Sequence, residues 1–319
     1  MVGYMRSLNS LMIYLIFPRR FRNLAREKVI VVGLGEVGRP LFELLKESGQ
    51  FDVYGFDLDK KKMEEIGQAE LPESFDIMHV CIPCIDQNKF VDSVVSYLKR
   101  FTPKLAIIES TVPPGTTMKI HANHRNCLLA HSPIRGVHKS LEYMKWELRR
   151  WTKYVGGVDA KSGESAERHF ERFGLKTKVL KSCLETELAK LFETTYRAWM
   201  ITCFQEMHRI SRHFGADFDE VVDFMGDTHR VRLDRPVMFP DVIGGHCLIP
   251  NTELLLSVYD SQFLRLILES NDKRKKEIRD ESVKVEVEKV RKRAEALQKK
   301  LMKKLGVDNS QCTVPSSLT

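Results

Sequence analysis

Residues 28–32, KVIVV, make a short β-branched apolar run, the pattern of a strand buried on both faces of a parallel sheet. A glycine-rich turn follows. RPLFELLKESG then places Leu41, Leu44 and Leu45 on one side, which predicts a helix stopped by Gly49. FDVYGFDLD predicts a second strand ending in Asp57. The alternation continues with a strand at DIMHVCIP (76–83), a helix at FVDSVVSYLKR (90–100) and a strand at LAIIES (105–110). TVPPGTT (111–117) turns into a helix, and NCLLAHSP (126–133) and KYVGGVD (153–159) read as further strands. This rhythm predicts an α/β fold with a doubly wound Rossmann sheet.

From residue 182 the period changes. Residues 182–215 read as one long helix in which Leu188, Leu191, Tyr196, Trp199, Phe204 and Met207 spread around much of the surface. Such a helix packs on several sides, as a domain spine or a dimer interface. DFDEVVDFM (217–225) predicts a shorter helix, GGHCLIPN (244–251) a loop, and helix resumes near residue 252. Val283, Val287, Val290, Ala294, Leu297 and Leu301 recur in an alternating four-and-three spacing, an a/d seam on a long C-terminal helix. The seam either pairs with its copy in a dimer or lies back on its own subunit. The expected organisation is an extension at 1–27, a Rossmann-like domain at 28–181, a mainly helical domain at 182–270 and a charged helical tail at 271–319.

Charge changes the picture less than its total promises. The net charge is +8, but about 14 Lys and Arg against about 7 Asp and Glu lie between Asp272 and Lys304. The excess is a solvated helical face, and no nucleic-acid partner is expected. The 7 cysteines are scattered, as in reduced cytoplasmic proteins. Cys81 and Cys84 form a single C-x-x-C, read as a core cysteine within a strand and a loop cysteine. The apolar run at 8–17 is too short to span a bilayer, and basic residues follow it rather than precede it. It is expected to be neither a membrane span nor a signal peptide.

The turn after the first strand reads GLGEVG. Gly33 permits the tight turn, Gly35 lets a pyrophosphate approach the backbone, and Gly38 lets the helix pack on the strand. The helix N-terminus then offers free N–H groups to the phosphates. Asp57 follows at the distance where a carboxylate accepts hydrogen bonds from the adenosine ribose and repels a 2′-phosphate, so NAD is the expected cofactor. Lys60, Lys61 and Lys62 weaken that preference slightly. His131, His138, His229 and His246 lack metal-ligand spacing among themselves or with Cys247, and no metal is expected. Arg230, Arg232 and Arg235 precede the cysteine loop, either as a clamp for a substrate phosphate or carboxylate or as surface salt bridges.

KVIVVGLGEVG, STVPPGTT (110–117), TELAKLFETTYRAW (186–199) and GGHC (244–247) occur in this order, and over residues 28–260 the chain resembles the UDP-glucose/GDP-mannose dehydrogenase family. The resemblance implies a four-electron oxidation of a sugar primary alcohol with two NAD, through a cysteine-bound thiohemiacetal and thioester. It places Cys247 at the nucleophile and Lys190 at the lysine that holds the oxyanion or manages the alcohol proton. Thr111 falls at the threonine near the nicotinamide. Three positions depart from the pattern. Thr194 stands where asparagine is usual, Asn251 where a carboxylate helps activate water, and Ile134 where a glutamate is usual, with Arg135 beside it. The family's C-terminal nucleotide-sugar domain has no match, the charged helix standing in its place.

These departures favour a two-electron dehydrogenase or reductase. Lys190 can serve as base if burial lowers its pKa. Cys247 is a catalytic thiolate, an inherited pocket residue or a packing residue; a protonated His246 nearby would lower its thiol pKa. The expected function is a NAD-dependent oxidoreductase acting on the CH–OH group of a sugar-like or nucleotide-sugar substrate. The chain is expected to be cytoplasmic and a homodimer. The alternative is a NAD-binding regulatory or scaffold protein with reduced chemistry.

Overall fold

A computed structural model describes residues 26–68 and 70–304. The apolar run at 8–17, all but the last two residues of the 1–27 extension, and Cys312 lie outside them. The strands are β1 (Lys28–Val32), β2 (Asp52–Phe56), β3 (Ile77–Val80), β4 (Leu105–Ile108), β5 (Leu128–His131), β6 (Lys153–Gly157) and β7 (Thr177–Val179). They form a 7-stranded sheet in the order β2-β1-β3-β4-β5-β6-β7. Neighbours run parallel except β5 and β6, which are antiparallel. β3 and β4 are buried at every position because helices cover both sheet faces.

Those helices are α1 (Gly38–Glu47), α2 (Lys60–Ile66), α3 (Gln87–Phe101), α4 (Thr116–Asn123), α5 (Leu141–Arg150) and α6 (Ala160–Arg172). Leu41, Phe42, Leu44 and Leu45 of α1 seal one face against Val29 and Val31. Phe90, Val94 and Leu98 of α3 seal the other against Ile30 and Val32. Asp86 and Asp159 accept backbone N–H bonds at the starts of α3 and α6, the usual role of a short acidic cap. Cys81, expected within the third strand, lies one residue past its end. Its amide still bonds the Val32 carbonyl at 2.7 Å, and its side chain abuts the glycine turn.

The remainder is helical: α7 (Cys183–His213), α8 (Phe218–Arg232), α9 (Leu248–Leu256), α10 (Gln262–Glu277) and α11 (Glu281–Lys304). α7 spans 31 residues, about 46 Å. Its Ser182 cap accepts from Leu184 N, and its Leu191, Ala198, Ile201 and Phe204 anchor a third core shared with α8, α9, α10 and α11. Two boundaries differ from the sequence expectation. α8 runs on to Arg232, so Arg230 and Arg232 sit in a helical turn rather than a loop. Gly226 lies buried within it, and Leu297 and Val237 pack 3.7 Å from where its Cβ would lie. α9 starts at Leu248, not near 252, which makes Cys247 its N-cap. Pro250 fits there because the first helical turn leaves its N–H groups unbonded anyway.

Of the two placements open to the C-terminal seam, the chain shows docking on its own subunit. Val283, Val287, Val290, Ala294 and Leu297 are buried, and Arg293 holds Asp219 of α8 through two bonds of 2.6 and 2.7 Å. Among the described residues no helix is long and apolar enough to cross a membrane.

Candidate active site

The glycine turn has the geometry its sequence demands. Gly33 adopts φ +91°, and a Cβ there would meet the Cys81 carbonyl at 2.6 Å. A Cβ on Gly38 would lie 1.7 Å from the Gly33 carbonyl oxygen, so only glycine lets α1 start so close to β1. A Cβ on Gly35, by contrast, would meet nothing within 4 Å. That open side faces outward at the start of α1, the position a pyrophosphate takes. Asp57 follows β2 directly. Its Oδ2 accepts from the Leu34 amide at 2.7 Å and its Oδ1 from the Asp59 amide at 2.9 Å, with Lys62 Nζ 3.3 Å away. Burial pushes its carboxyl up, but the Asp59 and Leu34 amides and Lys62 outweigh that and hold it below the usual range. A charged acceptor thus stands ready beside the turn.

Two helices build the second half of the site. Lys190 and Thr194 are four apart on α7 and therefore share a face. Asn251 lies on α9, four residues after the Cys247 cap, and the Asn251 amide closes onto the Cys247 carbonyl at 3.0 Å. Across the helix pair, Asn251 Nδ2 donates to Thr194 Oγ1 at 3.3 Å. Lys190 and Cys247 feel each other's charge. Burial lowers the Lys190 amine below 10.5, opposed by Glu193 at 3.9 Å and by Cys247, and helped by Lys153 and Arg135. The packed side of Cys247 pushes its thiol up, Lys190 pulls it down, and Glu36 pushes it up again. One side of Cys247 is open to solvent.

The strand ends complete the floor. Ser110 Oγ donates to the Ile82 carbonyl at 2.6 Å, which fixes the turn carrying Thr111. Arg135 stands on the rim. Its Nη2 donates to the Thr152 carbonyl at 2.8 Å, and its guanidinium lies 5.0 and 5.1 Å from the rings of Trp151 and Tyr154. Ile134 is buried in the α1-side core. The remaining arginines are not gathered at this centre. Arg230 pairs with Asp227 at 2.7 Å and lines a cleft between α8 and α11. Arg235 pairs with Asp234 at 2.7 Å, and Arg232 is exposed.

Several groups went unnoticed in the sequence. Glu36, inside GLGEVG, sits 3.0 Å from His246 Nε2 and 4.0 Å from His138 Nδ1, so the cysteine loop leans on the nucleotide turn. Glu109, just before Ser110, is buried and paired with Lys153 and with His79 Nδ1 at 2.9 Å. Burial pushes the Glu109 carboxyl up, but Lys153 and His79 more than reverse it. Lys153 Nζ also donates to the Ser132 carbonyl at 2.5 Å, tying the ends of β4 and β5 together. Glu36 was visible within a known motif. The Glu109–Lys153 pair joins residues 44 apart, and no local pattern announces it.

The arrangement offers an amine of lowered basicity and a cysteine beside it, near a cradle for an anionic dinucleotide. Residues 184–273 match the central domain of the UDP-glucose/GDP-mannose dehydrogenase family. A UDP-N-acetyl-D-mannosamine dehydrogenase of Methanocaldococcus jannaschii is 30% identical over 263 residues, 70% of this chain and 60% of that protein. An NDP-N-acetyl-D-galactosaminuronic acid dehydrogenase of Ralstonia nicotianae is 23% identical over 76% of this chain and 68% of its own length. The chain thus spans about three fifths of the archaeal relative's length. Among solved structures, the UDP-D-ManNAc dehydrogenase of Pyrococcus horikoshii superposes with a TM-score of 0.62 at 22% identity, covering 89% of this chain and 73% of that one. The 3-hydroxyisobutyrate dehydrogenase of Mycobacterium tuberculosis superposes with a TM-score of 0.58 at 16% identity, covering 80% of this chain and 94% of that one. These likenesses establish the Rossmann-type fold.

Proposed function

We propose, on its relationship to the UDP-glucose/GDP-mannose dehydrogenase family, that this chain is a NAD-dependent oxidoreductase acting on the CH–OH group of a nucleotide-linked sugar. The observation that carries this reading is the convergence of half-buried Lys190 and solvent-facing Cys247 near the dinucleotide turn. Gly33, Gly35, Gly38 and Asp57 hold the cofactor, and Asp57 selects NAD against its 2′-phosphorylated form. When bound, NAD accepts the hydride from the substrate carbon. Lys190, uncharged, takes the hydroxyl proton as that hydride leaves. Cys247 then faces the new aldehyde, and addition of its sulfur gives a thiohemiacetal. Thr111 and Arg135 border the substrate, and Thr194 with Asn251 shapes the wall behind it.

Neither Thr194 nor Asn251 titrates near neutral pH, so neither activates a hydrolytic water. The two-electron aldehyde or ketone product is therefore favoured over the acid. A UDP-linked N-acetylhexosamine, as in the relatives' names, is the first substrate to try. The active form is a homodimer joined along α7, where Phe192, Tyr196 and Ile210, and Phe214 just past its end, are exposed. With its described cysteines free, it works in the cytoplasm. The dinucleotide unit runs to residue 181; the helical unit, expected to end at 270, takes in the whole of α10, which crosses that position, and α11, whose Val290 shares its core.

Lys190→Met tests the reading. It should cost more than about a hundredfold in turnover and leave NADH affinity within about twofold. Equal turnover in the variant would refute the role of Lys190. A second reading, a NAD-binding scaffold, draws on the neutral Thr194–Asn251 pair. NADH binding with no turnover of any nucleotide sugar would favour it.

A further inference from the structure

Glu187 is fully buried and both its carboxylate oxygens are used. Oε2 accepts from the Gly115 amide at 2.6 Å. Oε1 accepts from the Thr117 amide at 2.8 Å and the Thr117 hydroxyl at 2.6 Å. All three donors lie where the turn after β4 becomes α4, with Gly115 as the helix cap at φ +86°. A buried anion there satisfies unbonded N–H groups and the positive end of α4 at once. The carboxylate itself comes from α7, three residues before Lys190 and seven before Thr194, on the same helical face. It is the direct side-chain link between the helix that carries the amine and the turn that carries Thr111.

The sheet order says what that turn faces. β1 carries the phosphate turn and β2 the ribose acid. In the order β2-β1-β3-β4, a dinucleotide with its adenosine over β2 and its pyrophosphate over β1 extends its other half over the ends of β3 and β4. The end of β4 runs directly into the segment that Glu187 fastens. We propose that Glu187 is a positioning residue that holds the β4–α4 turn, and with it the nicotinamide half of the cofactor, at a fixed distance from Lys190. This rests on the NAD reading above.

Glutamine is a close mimic in shape but cannot do the work. Its NH2 group would oppose either the Gly115 or the Thr117 donors. The experiment measures binding of NADH and of ADP-ribose, which lacks nicotinamide, to wild type, Glu187→Gln and Thr117→Val. Both variants should lose about three- to tenfold in NADH affinity, Glu187→Gln the more, while ADP-ribose affinity stays within about twofold. Thr117→Val keeps the carboxylate and both amide bonds, so it reports even if Glu187→Gln folds poorly. Equal losses for the two ligands would reduce Glu187 to a general stabiliser and overturn the proposal, as would no loss in either variant. If wild type binds neither ligand, the NAD reading fails and this proposal falls with it.

Discussion

Asn251 donates its side-chain amide to the Thr194 hydroxyl at 3.3 Å, joining α9 to α7 one helical turn from Cys247 and from Lys190. Both residues are buried, and both occupy positions where the family resemblance leads one to expect other groups. The two departures are therefore one local change, a neutral pair in place of a pair containing a carboxylate. Asn251→Asp restores the acid. With Cys247 present, the variant should yield carboxylic acid and two NADH per product where wild type yields one. Counting NADH against aldehyde and acid checks it; an unchanged ratio would show that the missing carboxylate, and with it hydrolysis of the thioester, is not what withholds the acid. The buried charge should also lower Tm.

Lys190 gives the pH profile its basic group. Burial places its folded pKa below 10.5, and in the proposed role of base the uncharged amine is the active form. Turnover should rise with pH and level off below the ordinary lysine range. Lys190→Arg should be slow and lack that limb, because arginine stays charged. A wild-type limb centred at 10.5 or above would mean that the titrating group is not a buried lysine.

The glycines of the turn should separate folding from binding. Gly38→Ala drives a methyl group into the Gly33 carbonyl and should cost stability, read as a lower Tm with or without cofactor. Gly35→Ala meets nothing within 4 Å and should fold normally, with Tm unchanged, yet lose at least about tenfold in NAD affinity. If Gly35→Ala bound NAD normally, the pyrophosphate would not lie against this turn.

The C-terminal helix makes a stability prediction with a definite sign. Hydrogen bonding from Arg293 holds the Asp219 carboxyl low, more than offsetting burial. Its contribution is present above the unfolded value and lost as pH falls through the lower folded one. Asp219→Asn should therefore destabilise by about 1 kcal/mol near neutral pH and by nothing once both forms are protonated. Melting curves across pH measure this. A constant deficit down to low pH would show that packing rather than charge is responsible.

The sheet was legible because its strands are apolar runs separated by turn residues. KVIVV and LAII show this directly, being buried on both faces. The start of α9 was not, because LIPN reads as loop when proline is taken as a breaker rather than as a first-turn residue. The edge strand β7 was missed for a related reason: TKV is short, half polar and only partly buried. At the site, Lys190, Thr194, Cys247 and Asn251 were legible through the family resemblance, each by its place in a motif. Their meeting across α7 and α9 is a product of packing. The clasp of Glu187 on Gly115 and Thr117 joins residues about 70 apart, beyond the reach of any local pattern.

The most direct test mixes purified protein with NAD and a panel of UDP- and GDP-linked sugars, follows NADH and identifies the product. The account predicts turnover of at least one nucleotide sugar with one NADH per aldehyde or ketone, abolished in Lys190→Met. NADH formation that survives Lys190→Met, or NAD bound with no turnover of any sugar, would contradict it.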